Sequence, residues 1–126
     1  MAENIASGET ELEAVAAVAM QMVIHAGDAR NLVMEALDAA GESDYDMVTA
    51  KLAEAQEELR QAHIFQTEIV QSEAAGKKYQ YSLLFTHAQD TVMTICSELN
   101  MAKKMIALYK KTDERFAKLE SRIGSE

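Results

Sequence analysis

The chain has no proline, one cysteine and five glycines in 126 residues. Without proline, nothing forces a helix to kink or stop. With so few glycines, long uninterrupted helices are favoured. One cysteine cannot form an internal disulfide, so a reducing compartment is expected. No apolar run approaches the ~20 residues that a membrane span needs. The opening stretch, MAENIASGETELEA, lacks the basic flank and apolar core of a signal peptide. The expectation is a soluble, cytoplasmic protein with no direct membrane insertion. A basic surface is missing as well. The net charge is -9, which argues against nucleic acid as a partner.

What is present is apolar and helical. Apolar residues make up 48% of the chain, too many for disorder throughout. The length fits one domain with a modest core, spanning residues 1–126. Charge is uneven. Residues 1–60 carry 13 acids and 3 bases, residues 61–126 carry 8 and 9. The acidic half suits a basic protein partner, although a charged stretch is as often a solvated helix face.

Periodicity predicts three helices. In the first, over 10–40, Leu12, Val15, Ala19, Met22, Val23 and Ala26 recur at helical spacing. Gly27 interrupts without a following proline, so the helix continues. Gly41 fits a C-cap, and Ser43 or Asp44 an N-cap. The second helix covers 45–74, where Tyr45, Val48, Leu52, Ala55, Leu59, Ala62, Gln66 and Ile69 form a heptad seam with one strongly polar entry, Gln66. Gly76 ends it. The third runs from about Gln80 to at least Lys111, with Met101, Met105 and Leu108 as its core stripe. The margins, 1–10 and 112–126, either extend the outer helices or fray; Phe116, Leu119 and Ile123 stay in phase. Short turns between long helices imply an antiparallel all-α three-helix bundle. Three such helices bury little when rich in alanine, so association of copies is expected through the third helix, with the second as a further candidate.

One stretch breaks the apolar pattern: FTHAQDTVMT, residues 85–94. His87, Asp90 and Thr91 share one side of a helix, while Gln89 lies about 200° round. Histidine exchanges protons near neutral pH, and its neutral ring can attack phosphorus and leave again. Gln89 and the threonine hydroxyls are candidate donors to a phosphoryl group. Asp90 stands among apolar neighbours. In a symmetric oligomer its copies would converge and need a cation between them, or protons to neutralise them; an oxygen-only cage suits a hard ion such as Mg2+.

Each of these residues has a plainer reading. A lone helical histidine is usually structural. His25, with Asp28 at i+3, and His63, near Gln66 and Thr67, are rivals on spacing alone, and a structural hydrogen-bonding role is favoured for both. No Glu-x-x-His pair, zinc spacing or glycine-rich phosphate loop is present. Cys96 reads as a buried, inert thiol.

HAQD followed by MT resembles the signature of the enzyme IIA component of the bacterial phosphoenolpyruvate-dependent sugar phosphotransferase system, lactose/cellobiose (chitobiose) type. HAGDAR at 25–30, EALDAA at 35–40, AH..QT at 62–67 and ALYKK at 107–111 fit the same pattern. The resemblance implies a homotrimer of three-helix protomers. It implies that His87 is phosphorylated by the histidine phosphocarrier protein and passes the group to a cysteine of the cognate IIB component. The membrane IIC component then delivers a β-linked disaccharide, cellobiose or chitobiose in preference to lactose. It implies a phosphoryl contact for Gln89, and for Asp90 a metal-binding place on the trimer axis, with Mg2+ or a similar divalent cation. Thr91 stands where the family often has a second histidine. The rival expectation is a non-enzymatic helical adaptor whose polar seam fixes register.

Overall fold

The computed structural model describes the backbone of residues 2–125 and the side chains of residues 10–125. Among them are three helices and no strand: α1 (Ala2–Gly41), α2 (Tyr45–Ala74) and α3 (Leu83–Gly124). α1 passes through Gly27 unbroken, as expected from the missing proline. α2 has the bounds the sequence predicts. α3 begins a little later than Gln80 and continues beyond Lys111 as helix, and residues 2–10 are helical too.

Local chemistry sets the breaks. Ser43 adopts φ 58°. Its N–H donates to Ala40 O, and the Asp44 N–H reaches back to Ala39 O at 2.9 Å. These two bonds close α1 as a Schellman motif with Ser43, not Gly41, in the left-handed position. The next residue starts α2, because the Asp44 carboxylate accepts from the Met47 N–H. α2 closes in the same way around Gly76 at φ 106°, with the Lys77 N–H bonded to Ser72 O. Ser82 then caps α3 by accepting from the Phe85 N–H.

α1 is the shared partner. It packs along both other helices, whereas α2 and α3 scarcely touch. Its buried line is Val15, Ala19, Met22, Ala26, Ala29, Val33, Ala36 and Ala40, in steps of four and three. The five alanines let both neighbours approach closely, so larger residues from α2 and α3 fill the space between: Leu59 from one, Val92, Ile95 and Leu99 from the other. Ion pairs pin the alignment. Lys51 meets Glu35 at 3.0 Å, and Arg30 grips Glu98 through two bonds of 2.9 Å. Tyr45 donates to Asp113 at 3.1 Å, tying the start of α2 to the far part of α3.

One expectation is corrected. The inward stripe of α3 is Ala88, Val92, Ile95, Leu99, Ala102 and Ile106. Met101, Met105 and Leu108 are 62%, 55% and 66% exposed. They lie about 125° round the helix from that stripe. α3 therefore has two periodic apolar faces, of which the protomer covers one.

Candidate functional site

His87 stands in the second turn of α3. The Ser82 cap fixes where that helix starts. Ala88 and Val92, both fully buried, fix its rotation. With those two facing α1, His87 and Asp90 must face outward, and both are exposed. Among the described residues, no hydrogen bond or ion pair engages the His87 ring or the Asp90 carboxylate. A free ring nitrogen on an open surface is what a group passed between proteins requires.

The neighbouring hydroxyls are turned onto the helix itself. Thr91 Oγ1 donates to His87 O at 2.9 Å, and Thr94 Oγ1 to Asp90 O at 2.7 Å. A hydroxyl has one proton. For Thr91 to donate to a group on His87, it must first leave its own helix.

Gln89 is placed elsewhere. It lines a cleft of about 670 Å³ between the end of α2 and the start of α3, with Ile69, Tyr79, Ser82 and Phe85. His87 is not part of that wall, so within one protomer the structure does not bring His87 and Gln89 to a common point. A second cleft, of about 630 Å³, adjoins it across Val15, Ile69 and Tyr79.

Among the described residues, Asp90 is not gathered with other metal-ligating side chains, and no group of three His, Cys, Asp or Glu side chains is placed to hold a metal ion. One carboxylate per chain fits a divalent cation only where several copies bring theirs together.

The rival histidines separate clearly. His25 Nδ1 lies 2.6 Å from Glu58 Oε2, and its ring stacks on Phe65 with centroids 5.9 Å apart. It joins α1 to α2 through Glu58, the structural hydrogen-bonding role expected for it. His63 is half-buried and makes no hydrogen bond or ion pair among the described residues, so the bonding role expected for it is not seen. One feature was not read from sequence. Gln66 Oε1 is buried without a hydrogen-bond partner, one turn before the cleft residue Ile69. Its signal was the single polar entry in the α2 seam. Among the described residues, no helix is long and apolar enough to cross a membrane.

A family model described as the lactose/cellobiose-specific IIA subunit of the PTS system matches residues 17–110. The chain is similar to the lichenan-specific phosphotransferase enzyme IIA component of Bacillus subtilis. The two are 41% identical over 98 residues, covering 78% of this chain and 89% of the relative. Among solved structures, the PTS cellobiose-specific enzyme IIA from Bacillus anthracis aligns with a TM-score of 0.73 at 37% identity, covering 77% of this chain and 89% of that one. The IIA component in the IIA(chitobiose)–HPr complex of Escherichia coli aligns with a TM-score of 0.70 at 29% identity, covering 79% and 96%.

Proposed function

The chain belongs to the lactose/cellobiose-specific IIA family of the phosphotransferase system, and on that premise we propose that it is a cytoplasmic phosphoryl carrier working through His87. The observation that carries this reading is the exposed, unpartnered imidazole at the family signature, on a helix whose rotation the core fixes.

In the first step, a neutral ring nitrogen of His87 attacks the phosphoryl of the phosphorylated histidine phosphocarrier protein. The P–N bond to His87 forms as the donor's P–N bond breaks. In the second, a thiolate of the cognate IIB component attacks the same phosphorus. A P–S bond forms and His87 leaves as a neutral ring. The E. coli relative is known in complex with HPr, which supports that donor. The acidic front half of this chain supplies charge to attract a basic one. The sugar would be a β-linked disaccharide of the cellobiose or chitobiose kind, delivered through IIC.

The uncovered α3 face belongs to the same proposal. Leu83, Met101, Met105 and Leu108 are large, apolar and exposed on the side that carries His87 and Asp90. We read this face as the centre of a homotrimer. Three Asp90 carboxylates would meet there and hold Mg2+ or a similar divalent cation. Gln89 keeps a phosphoryl-contact role only if closure between copies or partners brings it to His87.

The test is phosphorylation with the purified general components and phosphoenolpyruvate, followed by mass spectrometry without acid. One acid-labile phosphoryl per chain on His87 is expected. His87→Ala should abolish it with the protomer fold unchanged, because the exposed ring makes no hydrogen bond or ion pair within the protomer among the described residues. A folded chain that takes up no phosphoryl would mean that the scaffold is retained without the chemistry, as a helical adaptor.

A further inference from the structure

Among the described residues, nothing of its own protomer covers the last three turns of α3. Asp113, bonded to Tyr45, is the last residue of the helix that is not exposed; every residue from Glu114 to Ser125 is exposed. Yet the segment is helical to Gly124. Propagation from α3 spares it a nucleation step, but a bare helical end of about twelve residues is marginal in water. It also carries Phe116, Leu119 and Ile123, which are 59%, 53% and 73% exposed.

These three continue a single line. Met101, Met105, Leu108, Thr112, Phe116, Leu119 and Ile123 follow in steps of four and three, with one extra step of four. Thr112 is polar, but its hydroxyl donates to Leu108 O at 3.0 Å, which leaves its methyl to the line. The spacing is that of a helix meeting other helices along one seam.

The flanks choose the partner and its direction. Of the seven residues immediately before seam positions, five are basic, Lys104, Lys111, Arg115, Lys118 and Arg122, and the other two, Asn100 and Ala107, carry no charge. The other edge holds Tyr109, Asp113 and Glu120 and no base. When identical helices pack in parallel around an axis, one edge of each meets the opposite edge of the next. In antiparallel packing, like edges meet. Antiparallel copies would set five cations against five.

We propose that residues 112–124 are a self-association segment in which the Phe116–Leu119–Ile123 seam of α3 packs in parallel on the same seam of other copies. The segment lies beyond residues 17–110 matched by the family model, so it adds an interface outside the family domain. It rests on the reading that α3 faces α3 between copies, and lengthens that contact by about 20 Å. The occupant is a second copy because both ingredients, an apolar seam and edges of differing charge, are supplied by this helix to itself.

Sedimentation across a dilution series tests this with the full chain and with Phe116→Gln/Leu119→Gln. Both substitutions lie on the exposed end of the helix, clear of the core and of His87. The dissociation midpoint should rise at least about tenfold in the variant, which corresponds to about 1.4 kcal/mol. Direction is read by oxidation with oxidised glutathione: Ile123→Cys should yield 123–123 disulfide-linked chains, and Ser121→Cys, on the far side of the helix, should not. An unchanged midpoint, or equal cross-linking at 121 and 123, overturns this proposal alone. A full chain that stays monomeric at every concentration overturns it together with the trimer.

Discussion

Gly27→Ala should stabilise the protein. Gly27 is in the middle of α1, next to the fully buried Ala26. A Cβ built there meets nothing within 4 Å, so the new methyl neither clashes nor leaves a void. Glycine in a helix interior is about 1 kcal/mol less favourable than alanine, largely through the freedom it gives the unfolded chain. With no steric term to set against this, nearly the whole difference should appear as stability. For a domain of this size, that is a rise in Tm of about 3–6 °C. Thermal unfolding followed by circular dichroism measures it, at fixed protein concentration because association also moves Tm. Gly76→Ala is the internal control. It is equally open, but its φ of 106° is costly for any L side chain, so its Tm should fall. A Tm for Gly27→Ala that is unchanged or lower refutes the reasoning. If sedimenting mass fell with it, another copy would have to approach the α1 backbone at that point.

Ser43→Gly should raise stability by roughly 0.5–1 kcal/mol, because φ 58° is strained for serine and free for glycine. Urea unfolding of the two proteins checks it, and a lower midpoint for the glycine variant would count against the assigned geometry. Glu57 accepts two bonds from Arg60 and one from Gln61, with the Arg60 bonds the larger cause, and its carboxyl is held down from 4.5 to about 2. Since the folded value lies below the unfolded one, the small stabilisation from this exposed cluster is present above the ordinary carboxylate range and is lost as pH falls from there through about 2. A carbon-detected NMR titration with a Glu57 midpoint near 4.5 would contradict it.

The ends of α2 were legible because chemistry marks both: Asp44 as an acceptor at its start, Gly76 as the left-handed residue at its close. The end of α1 at Gly41 was legible from its glycine, but the left-handed residue that closes it is Ser43, where no glycine marks the position. The buried line of α1 was visible from Val15 to Ala26, since that helix has one continuous apolar face. α3 has two. Periodicity counts faces, but it does not say which one meets the same chain, and so Met101, Met105 and Leu108 were assigned inward. His87 was found by its motif, and its exposure then followed from Ala88 and Val92 being buried. The orientation of Gln89 into a cleft depended on how α2 ends beside α3, a tertiary fact with no local signature. The same holds for Glu58 as the partner of His25, a contact between helices by residues 33 apart in sequence.

Because α1 contacts both neighbours while α2 and α3 scarcely meet, the protomer divides into two steps of assembly. The α1–α2 hairpin joins segments adjacent in sequence, so its contacts close short loops and form fast. During synthesis it can complete its half of the core while α3 is still emerging. α3 arrives last, onto a surface already built, and brings the reactive histidine with it. A nascent chain from which Ser82 has just left the ribosome should already be compact, with the alanine face of α1 still waiting for its second cover.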